Sequence, residues 1–258
     1  LFYCKIFCSY LQIFQKPFHN HSPIYITSFS GISIFIFLIE SLNIPQILEK
    51  IESHRPELYI RMIHLLSFRI LNMQAIILDT ETHTLNGLPI EIAYAPIEIE
   101  NAKLSLDREK MFDQFYSIGD EKISWGSMAV HHILESDLEN QPNFSSFELP
   151  TETQYIIGHN IDYDIRAIQQ CGIDTSHIKA ICTLALARLV WPDAEAHNIS
   201  ALIYMISKGS DKARQMLKGA HRADADIILT ANILMHIIHR LNIQSIEELY
   251  AVSEHARI

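Results

Sequence analysis

From residue 73 onward the apolar and polar positions fall into short, punctuated runs that predict alternating strands and helices. Ala75–Leu78 is a continuous apolar run of strand length. Ile90–Ile99 alternates in part, as Ile90-Glu91-Ile92-Ala93 and again as Ile97-Glu98-Ile99, and predicts a second strand. Pro96 within it marks a bulge or a strand end. Met111–Ile118 predicts a third strand, Ser127–Leu138 a helix, and Tyr155–Ile157 a buried strand followed by Gly158. Asp162–Cys171 fits a helix with Gly172 as its C-cap. Ile178–Cys182 reads as a strand, and Thr183 as the cap of a helix that runs to Val190 and stops at Trp191-Pro192. Asn198–Ser207 is a further helix. Ala223–Ile238 is a longer one, with Ile227, Ile228, Ala231, Leu234, Ile237 and Ile238 at helical spacing. Ser245-Ile246-Glu247-Glu248 is a capping box that opens a last helix. Strands first, then strand–helix alternation, predict an α/β sheet that is antiparallel at first and parallel afterwards.

The first 72 residues follow no sustained period. Ser22–Ile39 is uncharged and ends in Ile34-Phe-Ile-Phe-Leu-Ile39, long enough to raise a transmembrane segment. Pro23, Gly31 and small polar residues interrupt it, and no small-residue cleavage site follows. Three readings stand: a membrane-associated segment, a poorly ordered extension, or sequence upstream of the natural start. The third is preferred, because Met73 leads directly into the first strand. Residues 1–72 are then a dispensable extension and 73–258 the working domain, with a membrane role not expected and a cytoplasmic location expected.

Composition narrows the classes. Of 258 residues, 48% are hydrophobic, which suits a folded chain. A net charge of −10 argues against a protein that grips nucleic acid by charge alone. It leaves room for an enzyme whose carboxylates hold cations, since these restore positive charge where a phosphate sits. Cys4, Cys8, Cys171 and Cys182 show no CxxC pair and no zinc spacing, and read as free thiols of a reducing compartment.

Three short polar motifs interrupt the apolar pattern at strand ends and helix starts. Asp79-Thr80-Glu81 follows the first strand, and residues two apart on a strand face one side. Two neighbouring carboxylates repel unless something positive separates them, which suits hard oxygen ligands for magnesium or manganese. Taken alone, the same pair reads first as a turn-initiating Asp and a solvated Glu. His159-Asn160-Ile161-Asp162-Tyr163-Asp164 opens a helix, with Asn160 and Asp164 four apart; a capping Asn with first-turn acids is the plain alternative. His221-Arg222-Ala223-Asp224-Ala225-Asp226 opens the long helix, and the same alternative applies. The three together place Asp79, Glu81, Asp164 and Asp226 at matching junctions, and carboxylates gathered in one place need cations to coexist.

On these residues the chain resembles the DEDDh 3′–5′ exonucleases of the DnaQ-like superfamily. The family's Asp-x-Glu is matched by Asp79 and Glu81, its His-Asn-x-x-aromatic-Asp by His159, Asn160, Tyr163 and Asp164, and its His-x4-Asp by His221 and Asp226. Ile90-Glu91-Ile92-Ala93 and Ala129-Val130-His131 add to the match. The segment Ile181–Pro192 looks most like the bacterial exodeoxyribonuclease X branch. Thr84 and His132 stand where relatives often carry Gly. Asp162 and Asp224 lie two residues before Asp164 and Asp226; a two-residue step on a helix turns the side chain away, so the family spacing selects Asp164 and Asp226.

The resemblance implies a ribonuclease-H-like mixed sheet flanked by helices. It further implies two divalent metal ions, Mg2+ or Mn2+, roughly 4 Å apart. Asp79 would bridge them, Glu81 and Asp226 would complete one site, and Asp164 would serve the other. His221 would be the general base on the attacking water, and 5′-mononucleotides would be released from a 3′ end. Thr82, His83, Leu85 and His131 are expected at the terminal nucleotide. Asn160 is a further contact candidate, though His159-Asn160 reads first as a brace. Lys208, Lys212, Arg214 and Lys218 form either an edge for the strand's phosphates or a solvated face. The expected partner is single-stranded or 3′-ended nucleic acid, with DNA favoured and a repair or proofreading context. RNA 3′-end trimming and a non-catalytic nucleic-acid-binding subunit are the alternatives.

Overall fold

The computed structural model describes residues 74–257. The expectations for residues 1–72, including the uncharged stretch Ser22–Ile39, lie outside the described residues. Among the described residues no helix is long and apolar enough to cross a membrane.

The domain is built on a six-stranded mixed sheet. β1 (Ala75–Thr82) pairs antiparallel with β2 (Pro89–Glu100), from Ile76↔Pro96 to Glu81↔Glu91, with a shift of register between Glu81 and Thr82. The other edge of β2 is shared by β3 (Lys103–Leu106) and β4 (Phe112–Phe115), both antiparallel to it. On the far side of β1, β5 (Tyr155–Gly158) and β6 (Lys179–Cys182) add parallel strands. Seven α-helices flank this sheet: α1 (Trp125–His131), α2 (Asp162–Gln170), α3 (Thr183–Val190), α4 (Ile199–Ile206), α5 (Asp211–Met216), α6 (Ala223–Leu241) and α7 (Ile246–Ala256). The expected order, antiparallel strands first and parallel strands later, is observed.

Strand alternation sends successive side chains to opposite faces, so each strand feeds two cores. Ile77, Ala93, Ile157 and Ile181 join Leu186 of α3, Leu202 of α4, and Ile227, Leu234 and Ile238 of α6. Ile76, Leu78, Ile92 and Ile156 join Ile161 and Ile168 on the α2 side. Because both faces are covered, the strands read as apolar runs, not as simple alternation.

Several local expectations change. The helix expected over Ser127–Leu138 stops at His131. His132 caps it in the left-handed region at φ 59°, and a separate 3-10 turn covers Glu135–Leu138. A left-handed cap favours Gly, which accounts for Gly at this place in relatives. Pro96 does not end β2. It stands between the ladder to β4, which ends at Tyr94↔Phe112, and the ladder to β3, which starts at Ile97↔Leu106, so its missing N–H falls between the two. β3 is an element without a strong periodic signal, and the strand expected over Met111–Ile118 is ordered as a strand only at Phe112–Phe115. Thr183 is not a cap but the first residue of α3, its hydroxyl turned to the Gly158 carbonyl at 3.1 Å. Asn160 precedes α2 in a left-handed conformation at φ 71° and does not share a helix face with Asp164.

Candidate active site

β1 aims Asp79 and Glu81 at the N-terminal end of α6, whose first turn carries Asp226. The carboxylate oxygens of these three residues lie within 4.8 Å of one another. Asp226 Oδ1 accepts the backbone N–H of His221 at 3.3 Å, closing the turn that enters α6. Asp164 arrives from the other face of the sheet, in the first turn of α2. Thr80, between the two β1 carboxylates, holds it: the Thr80 backbone N–H and hydroxyl donate to Asp164 Oδ1 at 3.0 and 2.9 Å. Gly158 makes that approach possible. A Cβ there would meet the Ile161 side chain at 2.7 Å, the Leu78 carbonyl at 3.1 Å and Asp164 Oδ2 at 3.3 Å.

Electrostatics set this group apart. Burial first, then the charges of Asp164, Asp226, Glu81 and Glu91, push the Asp79 carboxyl well above the usual carboxylate range. Glu81 is pushed up to about 9 by burial and by Asp226, Glu91 and Asp164, against an opposing pull from Arg222. Asp164 rises to about 7, because burial outweighs its two bonds from Thr80. Asp226 is raised by burial, with His221 opposing. Buried and part-buried carboxyls that raise one another's pKa form a site short of positive charge. An all-oxygen donor set of this kind fits hard divalent cations.

His221 is exposed beside this group, at φ 69°, a backbone region that is strained for a side chain of its kind. Of the expected nucleotide contacts, Thr82 and His83 are buried and Leu85 is 81% exposed. The Thr82 hydroxyl donates to the Thr84 carbonyl at 2.7 Å and is bonded to the Tyr163 hydroxyl. The His83 ring accepts the Leu88 N–H through Nδ1 at 2.8 Å, so it braces the loop that carries Leu85. Gly87 is required in that loop, since a Cβ would strike the His83 ring at 2.6 Å. His131 is buried, with Nδ1 accepting the Ile133 N–H at 2.9 Å. Asn160 is exposed. His159 bridges the Thr183 hydroxyl at 3.0 Å and the His197 carbonyl at 2.7 Å, and burial lowers its pKa to about 4. Lys208, Lys212, Arg214 and Lys218 are all exposed around α5, and Arg214 pairs with Asp211 at 3.3 Å.

The acids set aside on spacing are engaged elsewhere. Asp162 pairs with Arg257 at 2.5 Å. Asp224 joins Glu91 and Asp113 in a second group whose carboxylate oxygens also lie within 4.8 Å of one another. Glu91 is fully buried. It accepts from Arg222 Nε and Nη2 at 2.7 to 3.1 Å and from the Ala223 N–H at 3.1 Å. Thr80, Tyr163, and the Glu91–Arg222 pair are the site's supports that sequence reasoning assigned no role. The available signal was a carboxylate inside an apolar strand together with an Arg directly after the motif histidine.

The exonuclease family model (RNase_T) matches residues 76–234. The chain is similar to exodeoxyribonuclease 10 of Escherichia coli (strain K12), 29% identical over 168 residues, which are 63% of this chain and 68% of that protein. It is also similar to the 3′–5′ exonuclease DinG of Staphylococcus haemolyticus, 23% identical over 195 residues, 64% of this chain but only 20% of that protein. Among solved structures, exonuclease X in complex with 5′ overhanging duplex DNA matches with a TM-score of 0.52 at 25% identity, covering 69% of this chain and 99% of that one.

Proposed function

We propose that this chain, which belongs to the exonuclease family as a 3′–5′ exonuclease of the DnaQ-like superfamily, removes 5′-mononucleotides from the 3′ end of DNA. Asp79, Glu81, Asp164 and Asp226 would hold two divalent ions, magnesium or manganese. The observation that carries this reading is the meeting of Asp79, Glu81 and Asp226 within 4.8 Å at a site whose carboxyls are raised by burial and by one another.

Bound there, the ions would offset the charge of the scissile phosphate and of the attacking and leaving oxygens. The chain's own residues do the rest. Thr80 fixes the Asp164 carboxylate, so its free oxygen keeps one orientation. His221, exposed and joined to Asp226 through its backbone N–H five residues before it, takes the proton of the attacking water; an imidazole suits that role near neutral pH. The loop held by His83 presents Leu85 at the mouth of the site, where the terminal nucleotide would lie.

DNA is favoured over RNA because the relatives of greatest identity reported above are named for deoxyribonuclease activity or are bound to DNA. The test is a magnesium-dependent assay on 3′- and 5′-labelled strands of both sugars. Stepwise shortening from the 3′ end of DNA supports the proposal. Preferential shortening of RNA moves it to the RNA-trimming alternative, and activity that survives in Asp79→Ala or Asp226→Ala overturns the residue assignment.

A further inference from the structure

Among the described residues, eight large hydrophobic side chains are exposed, and six of them lie between 38% and 52% exposure. The two outliers are Leu85 at 81% and Trp125 at 84%. They come from segments joined to each other. Leu85 sits in the loop that follows β1, and Trp125 opens α1 directly after its cap Ser124. The Ser124 N–H donates to the His83 carbonyl at 2.8 Å. α1 is therefore fastened at its N-terminal end to the second residue after Glu81. Indole is the largest apolar side chain and is mostly buried in folded proteins, so leaving it almost wholly in water is an unfavourable placement without a partner. A single exposed Trp would mean little. Two extreme exposures flanking one hydrogen bond, made two residues beyond Glu81, ask for a common occupant.

We propose that Trp125 is a stacking platform for an unpaired nucleobase of the strand being degraded, with Leu85 as its neighbour at the mouth of the site. The proposal rests on the nuclease reading of the carboxylates. A nucleobase fits better than a protein partner for two reasons. The platform is continuous with the end of β1 that would take the terminal nucleotide, and a flat indole meets the π-face of any base. Such stacking is indifferent to base identity and to the sugar, so the platform selects unpaired strands, not sequences.

The chain has two tryptophans, which makes the test direct. In a Trp191→Phe background the remaining fluorescence reports on Trp125. Addition of a single-stranded oligonucleotide, with EDTA present to prevent cleavage, is expected to quench it. An oligonucleotide with abasic sites near the 3′ end is expected to quench it far less. In steady state, Trp125→Leu is expected to raise KM for single strands about five- to hundredfold, the range that loss of one stacked base implies. Trp125→Tyr, which keeps a ring, is expected to restore most of the affinity; a purely structural role would not distinguish Tyr from Leu at an exposed position. An enzyme that shortens strands normally, gives no quench and keeps its KM in Trp125→Leu overturns the platform while leaving the carboxylate reading intact. A chain that quenches but never shortens a strand supports the platform and overturns the carboxylate reading.

Discussion

The domain contains two groups of three carboxylates side by side, and they differ in what balances them. Asp79, Glu81 and Asp226 form one; Glu91, Asp113 and Asp224 form the other. They are neighbours by construction, since Glu81 faces Glu91 across the β1–β2 ladder and Asp224 and Asp226 share the first turn of α6. In the second group Arg222 grips Glu91 through two nitrogens, the Ala223 N–H adds a third donor, and the guanidinium lies 4.9 Å from the centre of the Phe115 ring. The first group has no such ion pair among the described residues: Arg222 only opposes the rise of Glu81, and Asp226 has the His221 N–H and the opposing charge of His221. A carboxylate group that carries its own cation supports the fold. One that lacks a cation is poised to take it from solution.

The largest expected contrast is in activity. Asp79→Asn or Asp226→Asn should lower kcat by at least ~10²–10³-fold, the scale on which removal of one key electrostatic contact acts. The same changes should raise the melting temperature of the metal-free protein, because they remove a carboxyl whose ionised form burial and its neighbours disfavour. Glu91→Gln should behave in the opposite sense. It leaves Arg222 and the start of α6 without their anion and should cost about 2–3 kcal/mol, below the value for a fully buried pair because the guanidinium is part-exposed. For a domain of this size that is a drop in Tm of roughly 4–12 °C by calorimetry. If Glu91→Gln melted like the wild type, the two groups would not differ as described.

A smaller effect separates the groups by pH. A carboxyl whose folded pKa is raised adds stability below its unfolded pKa and loses it as pH rises through the folded value. With Glu81 raised from 4.5 to about 9 and Asp164 from 3.8 to about 7, the metal-free protein should lose stability steadily as pH rises from about 4 to about 9. Millimolar magnesium should flatten that slope. Equal slopes in EDTA and in magnesium would mean that the first group takes no cation. The smallest effect belongs to the basic edge at α5. Reversing Lys212 and Lys218 should weaken strand binding a few-fold and reduce its salt slope by less than two, with the chemistry of the carboxylates untouched.

The helices and strands that bury their apolar residues were legible because their periods and punctuation agree, as for β5, α2 and α6. The candidate site was legible through spacing: Asp79 follows the apolar run of β1, and Asp164 and Asp226 stand in the first turns of helices. What stayed hidden was set by contacts across the chain. β3 owes its strand to pairing with β2, not to its own pattern. The end of α1 depends on His132 adopting a conformation that sequence does not announce. Glu91 resembled an ordinary outward-facing strand residue until Arg222, 131 positions away, closed on it. Thr80 could be read only as the spacer between two acids, although it turns out to hold a third.

That role of Thr80 ties catalysis to the sheet in an unforgiving way. Along β1 the residues alternate, so that odd positions serve α6 and its aspartate while Thr80 serves Asp164 on the opposite side. One residue inserted or deleted upstream in this strand would exchange the two sides along its whole length, turning Ile77 into the wrong core and the acids away from their partner together. A substitution in the strand therefore disturbs one role at a time, whereas a change of length would lose folding and chemistry in the same event.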